Sequence, residues 1–177
     1  MVSYQIDPKH TAAHFKVRHM MISNVKGEFS NITGSITFDP SDPGASHIDA
    51  TLDAATVNTR EPQRDRHLQS ADFLAVKRYP AITFRSTKIA STGVGSYEVA
   101  GDLTIRGVTR EVTLDVESVT PEIKDPDGLL RRGACATTRI ERKDFGLTWN
   151  AVLESGGFVV GDAVEITIDV ELIRKVD

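Results

Sequence analysis

The chain of 177 residues is long enough for one domain with a sizeable core, and its 21 Lys plus Arg against 25 Asp plus Glu leave a net charge of −4. That near balance offers no basic face for nucleic acid or an anionic membrane surface, and a single cysteine, Cys135, excludes an internal disulfide framework or a multi-thiolate metal site. Val, Ile and Thr supply 47 β-branched residues, which suit a pleated surface, while aromatics at 6% leave any apolar interior to aliphatic side chains.

Taken in chain order, alternation with period 2 dominates. Phe15 and Val17 alternate with Lys16 and Arg18, and Ile32, Gly34, Ile36 and Phe38 with Thr33, Ser35 and Thr37. Ile48, Ala50 and Leu52 form the next such run. Asp39-Pro40-Ser41-Asp42-Pro43-Gly44 between those two runs carries turn chemistry. Over residues 59–76 the alternation stops, and Leu68, Phe73 and Val76 fall nearer helical spacing. Asn58 or Thr59 is the expected cap there, Pro62 is tolerated in a first turn, and Tyr79-Pro80 forces an extended exit. Alternation resumes at Ile82 and Phe84, at Leu103 and Ile105, and at Val112, Leu114 and Val116. Arg106-Gly107-Val108-Thr109 is short enough for a tight hairpin, whereas Ser91-Thr92-Gly93-Val94-Gly95-Ser96 and Asp125-Pro126-Asp127-Gly128 are broader turns. The cleanest run comes last, with Val164, Ile166, Ile168, Val170 and Leu172 against Glu165, Thr167, Asp169 and Glu171.

One apolar and one wet face per strand is the antiparallel signature. Eight or nine strands at even spacing predict an all-β fold over residues 1–177, a single domain in which one or two short helices are inserted as a plug or lid. A closed eight-stranded barrel is either filled by side chains or holds one small ligand, and that choice is the functional question.

The chemistry-bearing residues form no familiar catalytic or metal pattern. His10, His14, His19, His47 and His67 do not converge locally and lack HExxH or Cys-x-x-Cys company, so no metal is expected. Cys135 has Arg131 and Arg132 upstream but no histidine near it in sequence, and GxSxG, dinucleotide and P-loop patterns are missing, so no catalytic residue is assigned. Arg64-Asp65-Arg66-His67-Leu68 reads either as a solvated helix face or as the polar rim of a pocket. Phe145, Leu147 and Trp149 read either as core or as pocket wall.

Several blocks, in order, resemble the YceI-like family of lipocalin-like, polyisoprenoid-binding bacterial proteins. They are Tyr4-x-Ile6-Asp7-x-x-His10-Thr11-x-x-x-Phe15-x-Val17-x-His19, Gly27-x-Phe29, Arg64-Asp65-x-His67-Leu68-x-Ser70-x-Asp72-Phe73-Leu74 and Lys77-x-Tyr79-Pro80-x-Ile82-x-Phe84. Gly101-Asp102-Leu103-Thr104-Ile105-x-Gly107-Val108-Thr109, Arg142-Lys143-Asp144-Phe145-Gly146-Leu147 and Val160-Gly161-Asp162-x-Val164 complete the likeness. The resemblance implies an extended eight-stranded antiparallel barrel whose pore holds a long isoprenoid, and it implies that two chains pair as a homodimer. The chain has Thr11 where the family usually has Ser, and the signal peptide that many members carry is not expected from its first residues.

The expected function is therefore a carrier or store, without catalysis and without a cofactor, for an isoprenoid quinone, a polyisoprenoid or a fatty amphiphile. The expected lipid-binding wall is Phe15, Val17, Phe29, Ile36, Phe38, Phe84, Leu103, Ile105, Phe145, Leu147 and Trp149, with His19, Arg64 and His67 at the head group. The rival readings are an enzyme acting on a lipid or quinone, and a filled-barrel interaction module. With no basic start or apolar stretch at Met1-Val2-Ser3-Tyr4 and no membrane span, the expected location is cytoplasmic, or periplasmic if a leader has been removed.

Overall fold

In the computed structural model, which describes residues 1–176, the alternating segments form eleven strands and one α-helix. The strands are β1 (Val2–Ile6), β2 (Ala12–His19), β3 (Ser23–Phe29), β4 (Ile32–Phe38), β5 (His47–Asp53), β6 (Ala81–Gly93), β7 (Ser96–Ile105), β8 (Val108–Glu117), β9 (Ile123–Lys124), β10 (Leu130–Glu141) and β11 (Val160–Arg174). The helix, α1 (Pro62–Gln69), lies between β5 and β6.

Eight strands close on themselves in the order β11-β1-β4-β5-β6-β7-β8-β10 and back to β11, every pairing antiparallel. The closing ladder runs from Arg131 opposite Ile173 to Glu141 opposite Ala163. On its other side β11 pairs first with β2 and then with β1, so these two lie end to end along it. The hairpin partner β3 extends the sheet beyond β2, and its Glu28 bridges to Asn58 just before the helix. Closure pairs each of the eight barrel strands on both sides, although β8 and β10 meet over only three residue pairs, from Cys135 opposite Glu117 to Thr137 opposite Asp115.

Local chemistry matches these elements. Along β11, Val164, Ile166, Ile168, Val170 and Leu172 face inward while Glu165, Thr167 and Asp169 are exposed. Arg106 and Gly107 both take positive φ (50° and 71°), the two-residue turn whose twist matches the strands it joins. Two clusters pack the barrel. One holds Tyr4, Ile6, Ala13, Ile32 and Leu172. The other holds Val57, Phe73, Leu74, Ile105, Ile140, Phe145 and Leu147, near the helix.

Three expectations change. The helix is shorter than the apolar spacing over 59–76 predicts, because residues 70–79 run through successive turns with Ala75 at φ 47°. Its cap is Glu61, whose carboxylate accepts from the backbone N–H of Gln63 and Arg64, not Asn58 or Thr59. Thr59 instead donates its N–H and hydroxyl to Asp65, which ties the helix to the incoming chain. The strand count also exceeds eight or nine. Among the strands without a clear alternating signal, β10 has Arg132, Ala134, Ala136 and Thr138 on its inner face, with too little hydropathy contrast to show.

The corner between β1 and β2 is fixed by a buried carboxylate. Asp7, 4% exposed, accepts from His10 Nδ1 at 2.8 Å, from Arg131 at 2.7 Å and from the Lys9 N–H at 3.0 Å. Arg131 also donates to Asp125 and Glu171, joining four segments of chain. Burial alone raises the Asp7 pKa, but the hydrogen bonds from His10, Arg131 and Lys9 outweigh it and hold the carboxyl at about 2.

An acid whose folded pKa lies below its unfolded one stabilises the fold above the unfolded value, near 4, and that contribution disappears as pH falls through about 2. The shift corresponds to roughly 2 kcal/mol. Asp7→Asn should lower unfolding free energy by about that amount at pH 7 and flatten its decline between about pH 4 and 2, as urea titrations across this range will read.

Candidate functional site

The inward faces of the strands do not meet in the middle. They enclose a cavity of about 540 Å³, within the range of roughly 300–1,000 Å³ typical of small-molecule sites. Leu172, paired with Arg132, and Val160, bonded to Arg142, stand twelve residues apart on β11. That is about 40 Å of strand at roughly 3.3 Å per residue, or roughly 30 Å along the axis at a barrel tilt of about 35–45°. The cavity is therefore a long tube.

Of the eleven apolar residues expected in its wall, ten line it: Phe15, Val17, Phe29, Ile36, Phe38, Phe84, Leu103, Ile105, Leu147 and Trp149. Phe145 does not. It is 1% exposed and packed with Val57, Ile105 and Ile140. The expected stripe 145-147-149 fails because residues 142–145 form a 3-10 turn that ends on Gly146 in the left-handed region, which breaks the strand period. Ile6, Ile32, Ile82, Val99 and Leu172 also line the tube, on inward faces whose alternation is the available signal.

Two of the aromatic rings rest against glycines. Phe15 lies over its cross-strand partner Gly27, where an added Cβ would stand 2.4 Å from the ring, and Phe84 lies over Gly101 at the same distance. The missing side chains let both rings lie against the wall.

His19, Arg64 and His67 all line the cavity, but two of them already have partners. Arg64 Nε donates to Thr59 Oγ1 at 2.7 Å and Nη2 to the Thr59 carbonyl at 2.9 Å. His67 Nε2 sits 2.9 Å from Asp72, and its ring packs edge-on to Trp149 (4.6 Å between centroids) and Phe73 (5.0 Å). The end of the tube near α1 is thus lined by an aromatic cluster anchored through the His67–Asp72 contact.

The loop that brings in Leu147 and Trp149 depends on Arg142, which sequence reasoning passed over. Only 3% exposed, it donates to the carbonyls of Leu147 (2.6 Å), Gly161 (2.8 Å), Trp149 (2.9 Å) and Val160 (3.3 Å), with Asp162 at 3.5 Å. Burial pulls its pKa down and Asp162 counters. Asn150 holds the same loop by accepting from the Val160 N–H and donating to the Val160 carbonyl.

At the other end Arg132 enters the tube, its guanidinium 5.4 Å from the Phe38 ring centre and 5.8 Å from that of Tyr4. The Tyr4 hydroxyl donates to Glu122 at 2.6 Å, and burial together with that bond pushes its pKa up. Tyr97 closes edge-on to Phe38.

Outside the tube, Asp7, His10 and Glu171 bring three ligating atoms within 4.8 Å of one another, but the Arg131 guanidinium already bonds both carboxylates. Cys135 pairs in register with Asp169 and is not among the lining residues; burial and Asp169 push its thiol pKa up, away from a reactive thiolate. Among the described residues no helix is long and apolar enough to cross a membrane.

Comparison with known proteins agrees with this geometry. The family model for the YceI-like domain matches residues 4–172. A UPF0312 protein of Ectopseudomonas mendocina is 37% identical over 174 residues, covering 97% of this chain and 87% of that one. The crystal structure of the Campylobacter jejuni YCEI protein superposes with a TM-score of 0.74 at 34% identity, over 90% of each chain. A polyisoprenoid binding domain from Saccharophagus degradans shares the fold with a TM-score of 0.69 at 15% identity, over 99% of this chain and 100% of that one.

Arg142→Met removes the donor from four loop carbonyls. The expected loss is about 3 kcal/mol in unfolding free energy, accompanied by a red shift of Trp149 emission as the 147–161 loop detaches. Urea titration followed by the fluorescence of this single tryptophan reads both.

Proposed function

Because the chain belongs to the YceI-like family, we propose that its barrel binds one long-chain isoprenoid or similar amphiphile along the tube and serves as its carrier or store without catalysing a reaction. The observation that carries this reading is the tube itself: about 540 Å³ of continuous, almost wholly aliphatic and aromatic wall inside a closed barrel. The shared fold with a polyisoprenoid binding domain supports it.

Magnitudes select the length of the ligand. Each buried methylene contributes roughly 0.8 kcal/mol, while association costs about 4–15 kcal/mol in lost freedom. Micromolar affinity, about 8 kcal/mol net, then calls for roughly fifteen to thirty apolar carbons. Short acyl groups fall below that threshold, whereas polyprenyl chains, isoprenoid quinones and long fatty chains exceed it. The length of the tube, roughly 30 Å, suits such a chain lying extended. Binding of this kind needs no proton transfer, only exclusion of water and a wall of constant polarity.

Organic extraction of the purified protein followed by mass spectrometry should release a long-chain amphiphile, and the stripped protein should take one up on titration. Failure of both overturns the proposal. Leu103→Trp puts an indole into the tube from near the end of β7. It should abolish uptake while leaving stability within about 1 kcal/mol, since open space receives the ring; a filled interior would lose roughly 1–3 kcal/mol.

A further inference from the structure

The arginines of this chain divide by how their donors are used. Arg64 is bonded to Thr59, Arg131 to Asp7, Asp125 and Glu171, Arg142 to four carbonyls, and Arg174 to Glu122. Arg132 differs. It lies on the inward face of β10, its Nε is shut away from solvent with no hydrogen-bond partner, and it forms no ion pair among the described residues. Its guanidinium is held beside the Phe38 and Tyr4 rings, which steady a cation without using its N–H groups.

A guanidinium held among apolar side chains with no acceptor for its N–H groups is unfavourable until one arrives. The two terminal nitrogens of a guanidinium present parallel N–H groups, a geometry that grips a carboxylate or phosphate with both oxygens. The acidic group at this corner, Glu122, already accepts from the Tyr4 hydroxyl and from Arg174. Glu122 is thus taken up by Tyr4 and Arg174, and the Arg132 charge is left without an ion pair among the described residues. In an apolar surround that charge acts at close range with little screening.

We propose that Arg132 is the head-group anchor of the tube, taking the oxyanion of an acid-headed amphiphile, carboxylate or phosphate monoester, whose tail runs toward Trp149. This rests on the amphiphile-binding reading and specifies its ligand class and orientation. The head then lies at the opposite end from Arg64 and His67, whose donors are engaged by Thr59 and Asp72.

The test uses stripped full-length protein and three probes sharing one chain: oleate, oleyl phosphate and oleyl alcohol. Calorimetric titration should show both acids binding at least about tenfold tighter than the alcohol, the worth of a charge-assisted bond. Arg132→Met should erase that preference, bringing both acids to the affinity the same variant shows for the alcohol. The ratio of oleate to oleyl phosphate identifies which oxyanion fits better. Orientation is read on the unaltered protein, independently of how the variant folds: stearate brominated at its methyl end should quench Trp149 more than stearate brominated beside the carboxylate. Equal binding of acids and alcohol, an Arg132→Met variant that retains the preference, or the reverse quenching order overturns the head-group assignment while the amphiphile-binding reading stands. If no probe binds the unaltered protein, that reading falls and the assignment with it.

Discussion

Everything in this barrel depends on β11 pairing along both of its sides. Fifteen residues, Val160–Arg174, bond to β10 on one flank and to β2 and β1 in succession on the other. A hollow interior is unfavourable, since atoms lining empty space lose the dispersion contacts that a packed core supplies. The wall must therefore hold itself up. Backbone ladders closed into a ring do that, and the two packed clusters at the ends complete it, so the middle can remain a tube.

Arginine does much of the joining where the chain leaves the ladder. Arg131 collects three carboxylates at the corner between β1 and β2, and Arg142 collects the carbonyls of the loop that carries Trp149. Both are guanidinium groups taken largely out of water, tolerable because their donors are matched by acceptors. Arg132, one residue from Arg131, points the other way across the pleat and meets aromatic rings instead. Adjacent, chemically identical residues thus serve a surface corner and an interior.

Legibility in the sequence followed the range of the interaction concerned. Runs such as Val164 to Leu172 and Val112 to Val116 show their inner face because side-chain alternation is a property of neighbours two apart, and ten of the eleven wall residues follow from it. The Arg106-Gly107 hairpin was readable for the same local reason. Strand β10 is not, because Ala, Thr and Arg on its inner face carry no contrast, and Phe145 leaves the wall because the 3-10 turn over Arg142–Phe145 breaks the strand period. The helix cap is Glu61 rather than Asn58 or Thr59 because Asn58 accepts from the Arg60 N–H and Thr59 is drawn off by Asp65, six residues away.

By itself the sequence determined an all-β chain, its antiparallel habit, most of the apolar wall and the inserted helix, all consequences of local periodicity and turn chemistry. Tertiary structure alone decided that the interior is open, that Arg142 clasps a loop, and that a cation without a partner stands at the end away from the helix. Those facts depend on partners far along the chain: Tyr4, Phe38 and Glu122 around Arg132, and Gly161 and Trp149 around Arg142. Whether a buried donor is satisfied is a property of the closed barrel, since only closure brings those residues within a hydrogen bond of one another or leaves one of them without.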